Sequence, residues 1–319
     1  MNATDAGISI DRIVEASASI DVVFRDSPQF LSEPITEHTG VQTILKVEFV
    51  NPIRSFKGRG TDYLLQRLGA DGMGGLVCAS AGNFGQGMAY ACRKAKRHLT
   101  VFAATTANPL KVERMRALGA EVVLAGADFD AAKAAARSHA AESGALYVED
   151  GLLGPIAEGA GTMAVELTRM PEPLDAVFVP LGNGSLVNGV GAWLRHSSPR
   201  TRVIAVCASA APAMEMSWRE GRAVSAATTT MADGIAVRVP VPEALEIMRR
   251  TVDEVMLVSD EEILDAMRML YTLTGLPVEP AGAAGMAAIV KTRGEWAGKR
   301  VATPLCGSNL TPEQLHAWL

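Results

Sequence analysis

The sequence predicts an α/β protein with two open, twisted, mostly parallel sheets flanked by helices. Three observations carry that expectation. Short apolar runs alternate with stretches of helical period, the pattern of parallel strands joined by crossover helices. The 319 residues are enough for two lobes rather than one. Gly is abundant (30) while aromatics make up only 5%, which suits close helix–strand packing and many tight turns.

In chain order, 76–80, 99–104, 121–125 and 145–149 read as short buried strands rich in Val, Leu and Ala. Residues 85–96, 109–118 and 129–143 between them read as helices. Pro109 near the start and Gly119 past the end fit the usual helix asymmetry. The rhythm resumes with strands at 176–180, 203–208, 254–258 and 300–305. Its helices fall at 162–169, 186–195, 243–249, 261–274 and 281–291. Ser259 with Glu262 three residues on is a capping box. Residues 221–240, with Thr228 to Thr230 and several Gly and Pro, read as a long loop of the kind that borders a site. The seams between lobes fall near 40–50 and near 150.

Composition excludes several function classes. A net charge of −5 without a basic run disfavours nucleic acid and anionic membrane as partners. No uncharged apolar stretch approaches the about 18 residues of a membrane span. Residues 1–12 lack a basic segment followed by an apolar core, so no secretory signal is expected. Cys78, Cys92, Cys207 and Cys306 show no CxxC spacing, and the five histidines form no ligand pattern. The expectation is a reduced, cytoplasmic protein.

Ligands of open α/β sheets bind beyond the carboxyl ends of strands, so strand-to-helix turns carry the chemistry. The first candidate is Ser55-Phe56-Lys57-Gly58, with Lys57 opening a helix. A positive helix end and desolvation both favour the neutral amine that Schiff-base chemistry needs. Alone, the segment suits a solvated surface lysine equally well. The second is Ser80-Ala81-Gly82-Asn83-Phe84, where small residues and helix-end N–H groups suit a carboxylate; a plain turn capped by Asn83 reads as well. The third is Gly182-Asn183-Gly184-Ser185-Leu186, a phosphate cradle by the same physics, or simply a glycine turn. A fourth is Cys306 at the end of the last strand, either a buried small hydrophobe or a neutral partner for a ring nitrogen.

Together, in this order, these segments resemble the fold-type II pyridoxal-phosphate-dependent enzymes, the tryptophan synthase β-like superfamily. The resemblance is strongest to its serine/threonine ammonia-lyases (dehydratases) and serine racemases. Pro109-Leu110-Lys111 through Gly119-Ala120-Glu121-Val122, Ala232-Asp233-Gly234 and Glu279-Pro280-Ala281-Gly282 add to it, so that it spans about Lys46 to Asn309. It implies a large cofactor-binding domain of residues 1–45 plus 150–319 and a small substrate-loop domain of 46–149. It implies that Lys57 holds pyridoxal 5'-phosphate as a Schiff base and then works as the base at the substrate Cα. Phe56 would pack on the ring, Asn83 would bond its hydroxyl, and Cys306 would face its nitrogen. Gly182, Asn183, Gly184, Ser185 and Leu186 would take the phosphate, with Glu279 also at the cofactor. Ser80, Ala81, Gly82, Asn83 and Phe84 would hold the substrate.

Departures from the family pattern narrow the expectation. Racemases of the group carry a second serine where this chain has Ala81, and alanine transfers no proton, which favours lyase chemistry. The group's metal-binding members have a Glu where this chain has Cys207, so no divalent metal is expected. Arg54 stands where small residues are common; it reads either as a substrate contact able to pair with an acidic side chain or, equally well, as an arginine that faces outward. The expected activity is β-elimination from a small hydroxy amino acid such as threonine or serine, giving a 2-oxo acid and ammonia, by a homodimer. A β- or γ-replacement enzyme of the threonine synthase or cysteine synthase type is the alternative. A non-catalytic binding protein is a third reading, which the intact Lys57 opposes.

Overall fold

The computed structural model describes residues 7–69 and 74–319. The chain opens with α1 (Ile10–Ser19), a 3-10 turn at Val22–Phe24, β1 (Gln29–Leu31), α2 (Glu33–Thr39) and β2 (Gln42–Val47). Then follow α3 (Lys57–Leu68), β3 (Leu76–Ala79), α4 (Asn83–Lys94), β4 (Leu99–Ala103), α5 (Pro109–Ala117), β5 (Glu121–Leu124), α6 (Phe129–Ser143) and β6 (Leu146–Val148). The chain continues through α7 (Gly154–Leu167), β7 (Ala176–Pro180), α8 (Ser185–Ser197), β8 (Arg202–Ala208) and α9 (Ala213–Glu220). It ends with α10 (Pro242–Thr251), β9 (Glu254–Val258), α11 (Asp260–Thr274), α12 (Pro280–Lys291), β10 (Arg300–Leu305) and α13 (Pro312–Trp318).

The strands form two sheets, as expected. One has the order β1-β2-β10-β7-β8-β9 and the other β5-β4-β3-β6. Every pairing is parallel except that of β1 with β2. The four-stranded sheet is an insertion in chain order between β2 and β7. Pairing of β10 with β7 ends at Ala302, ahead of Pro304, which has no N–H to give a ladder.

Both faces of the central strands of the larger sheet are covered, which is why β7 and β8 are mostly apolar. Along β7, Ala176 and Phe178 face a core built with α11 and α12, while Val177 and Val179 face one built with α7, α8 and α10. In the smaller sheet Leu76 and Cys78 pack with α3 and α4, and Val77 and Ala79 with α6. Beneath the start of α3 lies a buried charge cluster. The Arg59 guanidinium donates to both oxygens of Glu48 (2.7 and 2.9 Å) and of Glu166 (2.7 and 2.9 Å), and Lys46 pairs with Glu166. Burial opposes the charge on Arg59, but Glu48 and Glu166 outweigh it and hold the group protonated.

Several elements differ from expectation. The helix expected at 162–169 begins at Gly154. Helices α1, α2, α9 and α13 and strands β1 and β2 were not expected. The 221–240 loop holds one 3-10 turn, Asp233–Ile235, and the Ser259 capping box forms with Glu262. Among the described residues no helix is long and apolar enough to cross a membrane.

Candidate active site

Carboxyl ends of parallel strands from both sheets meet at one cavity of about 430 Å³. After β2 comes the turn that presents Lys57. Its shape is set by Asn51, whose side-chain oxygen accepts from the N–H groups of Ile53 and Ser55 and whose amide donates to the carbonyls of Glu48 and Ser55. The chain then enters α3 at Lys57, whose Nζ lies 4.7 Å from the centre of the Phe56 ring. After β3, the turn 80–82 leads into α4 at Asn83. Here Ser80 Oγ accepts from the N–H groups of Gly82 (3.2 Å) and Gly85 (2.9 Å). The N–H groups of Asn83 and Phe84, in the first turn of α4, have no intrahelical acceptor.

After β7, Gly182 to Gly184 lead into α8 at Ser185, with Gly184 left-handed at φ 97°. A side chain there would be strained, and its Cβ would sit 3.0 Å from that of Ala244. The cradle is therefore backbone and a hydroxyl at a helix N-terminus, the arrangement that binds phosphate esters. After β10, Cys306 is buried. Desolvation first, then the carboxylates of Glu48 and Glu279, push its thiol well above the ordinary range, so it stays neutral.

The cavity brings together Phe56, Lys57, Ser80, Ala81, Gly82, Asn83, Phe84, Gly182, Asn183, Gly184, Ser185, Leu186, Glu279 and Cys306. Asn83 Nδ2 donates to Glu279 Oε1 (2.5 Å), and Asn83 Oδ1 accepts from Asn309 Nδ2 (2.8 Å). Burial raises the Glu279 carboxyl, with Asp233 adding to it, against the opposing pull of Lys111. Arg54 is not brought in. It sits exposed at the apex of the Asn51 turn with φ 51°, outside the cavity lining. An arginine there cannot pair with a substrate side chain inside, and the specificity expected of it falls to other residues.

Several lining residues had not been singled out. Asp150, just past β6, receives a hydrogen bond from Lys57 Nζ (2.6 Å) and another from Ser185 Oγ (2.7 Å). Its signal was its position, an acid at the carboxyl end of a parallel strand. Lys111 of α5 pairs with Asp233, and both lie in segments that had contributed to the resemblance. At the mouth, Arg238 pairs with Asp128 (3.4 Å) and Asp130 (2.5 Å), and Lys133 pairs with Glu149. No motif marked these. Among the described residues no group of three or more His, Cys, Asp or Glu could hold a metal.

The donor set fits pyridoxal phosphate. It combines an amine beside an aromatic ring, a helix-end cradle for a phosphate and a buried neutral thiol in one cavity. Comparison with known proteins agrees. An L-threonine ammonia-lyase of Thermotoga maritima is 33% identical over 305 residues, covering 95% of this chain and 76% of that one. Threonine deaminase isoform 2 of Solanum lycopersicum, in its processed form, superposes with a TM-score of 0.89 at 27% identity, covering 99% of this chain and 95% of that one. Maize serine racemase gives a TM-score of 0.90 at 26% identity, covering 99% and 97%. The family model described as "Pyridoxal-phosphate dependent enzyme" matches residues 20–307, a span that includes Lys57, the 80–84 turn and the 182–186 turn. With fold, cavity and sequence in agreement, the chain belongs to the pyridoxal-phosphate-dependent enzyme family and takes pyridoxal phosphate as its cofactor.

Proposed function

We propose that this protein removes water and ammonia from a small β-hydroxy amino acid of the threonine or serine class, giving a 2-oxo acid. One observation carries the reading: Lys57 Nζ shares a cavity with the 80–84 turn and the N-terminus of α8. Bound pyridoxal phosphate supplies an aldehyde that condenses with amines and a ring that draws electrons from the substrate Cα. The chain's own residues do the rest. Lys57 Nζ holds the cofactor and takes the proton from the substrate Cα. The N–H groups of Asn83 and Phe84 orient the substrate carboxylate, and Phe56 and Phe84 keep water from the amine. Gly182 to Leu186 anchor the phosphate. Cys306, a neutral thiol in the cavity wall, would serve as the partner of the ring nitrogen and leave it unprotonated. Ala81 has no proton to give from the opposite side, which favours elimination over racemisation.

The reading includes a large domain of 1–45 plus 150–319, a small domain of 46–149, a cytoplasmic location and a homodimer. The test is to mix the protein with L-threonine or L-serine, with and without a thiol nucleophile, and assay for 2-oxo acid. Release of 2-oxo acid and ammonia at a rate independent of the thiol is expected. Formation of a thioether amino acid instead would point to a replacement enzyme.

A further inference from the structure

Among the described residues, every carboxylate on the cavity wall has a cation partner outside the chemistry except two. Arg238 serves Asp128 and Asp130, Lys133 serves Glu149, and Lys111 serves Asp233. Glu279 has none, but it accepts from the Asn83 side chain and the Asn309 N–H, and burial raises it toward the neutral acid. Asp150 has Lys57 alone. Its Oδ2 accepts from Lys57 Nζ at 2.6 Å, and its Oδ1 accepts from Ser185 Oγ, a neutral donor, at 2.7 Å. Both side chains of the pair are largely buried, Lys57 16% and Asp150 11% exposed.

Lys57 can take the proton from the substrate Cα only as a neutral amine. In that state Asp150 keeps its charge and loses its one counter-charge, a costly condition for a buried carboxylate. Nζ must come within hydrogen-bond reach of the Cα proton, and Asp150 Oδ2 touches Nζ. The substituent on Cβ is two bonds from Cα, so it is the part of the substrate that this carboxylate meets. A hydroxyl there offers one proton and no charge. An ammonium offers three protons and restores the missing charge. The leaving group argues the same way. A hydroxyl must gain a proton to leave as water, whereas an ammonium leaves as ammonia with the electrons of its own bond.

We propose that the site has a further activity, the β-elimination of ammonia from a 2,3-diamino acid, with Asp150 as the residue that binds the β-ammonium. Lys57 Nζ takes the Cα proton, the freed electron pair forms the Cα–Cβ double bond, and the Cβ–N bond breaks toward nitrogen, releasing ammonia. The enamine that remains gains a proton at Cβ, adds water and loses the α-nitrogen as a second ammonia. Thus 2,3-diaminopropionate and one water give pyruvate and two ammonia. Asp150 gains and loses no proton at any stage. The proposal rests on the roles proposed above for Lys57 and the 80–84 turn.

The experiment compares two substrates that differ only at the β-substituent. Holoprotein is incubated with L-2,3-diaminopropionate and with L-serine, and pyruvate and ammonia are measured. Wild type should release two ammonia per pyruvate from the diamino acid and one from serine. In Asp150→Asn the ratio of kcat/KM for the diamino acid to that for serine should fall about ten- to hundredfold, the share of one charge-assisted hydrogen bond. General damage to Lys57 cancels in that ratio. Binding without turnover is read by calorimetry in cofactor-loaded Lys57→Ala, which lacks the base. It should bind the diamino acid about tenfold or more tightly than serine, and Lys57→Ala/Asp150→Asn should lose that preference. Thermal transitions confirm that each variant folds. Pyruvate from serine but none from the diamino acid overturns the proposal alone, as does an unchanged ratio in Asp150→Asn. Pyruvate from neither substrate overturns the elimination reading as well, so the two failures are distinct.

Discussion

Asn83 joins the smaller sheet's share of the cavity to the larger one's. Its amide donates to Glu279 and its carbonyl accepts from Asn309. Asn83→Ala leaves Glu279 Oε1, on a residue only 4% exposed, without that donor. The expected cost is about 1–3 kcal/mol, read as a lower denaturation midpoint at unchanged slope, together with weaker cofactor retention. An unchanged midpoint would show that this bond is not held in solution. Asn83, Lys57 and the 182–186 turn were legible because each lies in a local run whose residue types match one task. Asp150 and Arg238 were not, because single charged residues have no local pattern and only the tertiary fold brings them to the cavity. Arg54 was legible as unusual but misplaced. The Asn51 turn holds it at a positive φ and aims it outward, a consequence of hydrogen bonds that spacing does not reveal.

Helix α7 shows the same division among elements. Its first eight residues include Gly154, Pro155, Gly159 and Gly161, residues of poor helix propensity, and every residue of the helix is buried. Packing rather than propensity makes it helical, and the glycines are there for close approach. A Cβ on Gly159 would lie 2.4 Å from the Arg59 carbonyl oxygen, and one on Gly189 of α8 only 2.0 Å from that of Ala157. Backbone on both sides leaves no flexible side chain to yield. Gly189→Ala should therefore cost about 3 kcal/mol and displace α8, whose N-terminus is the phosphate cradle. The expected signature is a lower Tm with weakened pyridoxal phosphate binding. A variant as stable as wild type would mean that α7 and α8 can separate freely. The regular strands β7, β9 and β10 were read to the residue because continuous apolar runs bounded by turns leave little choice.

Over the whole molecule, the alternation of strand and helix made the two-sheet plan legible, while the contacts between sheets were not. Charges supply many of those contacts, and burial sorts them. Arg238 with Asp128 and Asp130 is exposed enough for solvent to screen it, so it contributes little. The cluster of Arg59, Lys46, Glu48 and Glu166 is buried and matters more. Burial would raise the Glu166 carboxyl, but Arg59 and Lys46 outweigh it and hold it below the ordinary range. A carboxyl depressed on folding contributes stability that is present above its unfolded value, about 4.3, and lost as pH falls through the folded value. Wild-type Tm should drop on acidification below about pH 4, and Glu166→Gln should lack this group's share of the drop. At neutral pH that variant should be about 3–5 kcal/mol less stable, since Lys46 loses its buried ion-pair partner and Arg59 is left with Glu48 alone. The same acid slope in both proteins would show that Glu166 is not depressed.

All of these predictions surround one amine. Holoprotein reduced with borohydride, digested and mapped by mass should carry the pyridoxyl group on Lys57 and lose the label in Lys57→Ala. A pyridoxyl group on another lysine, or on none, would contradict the account.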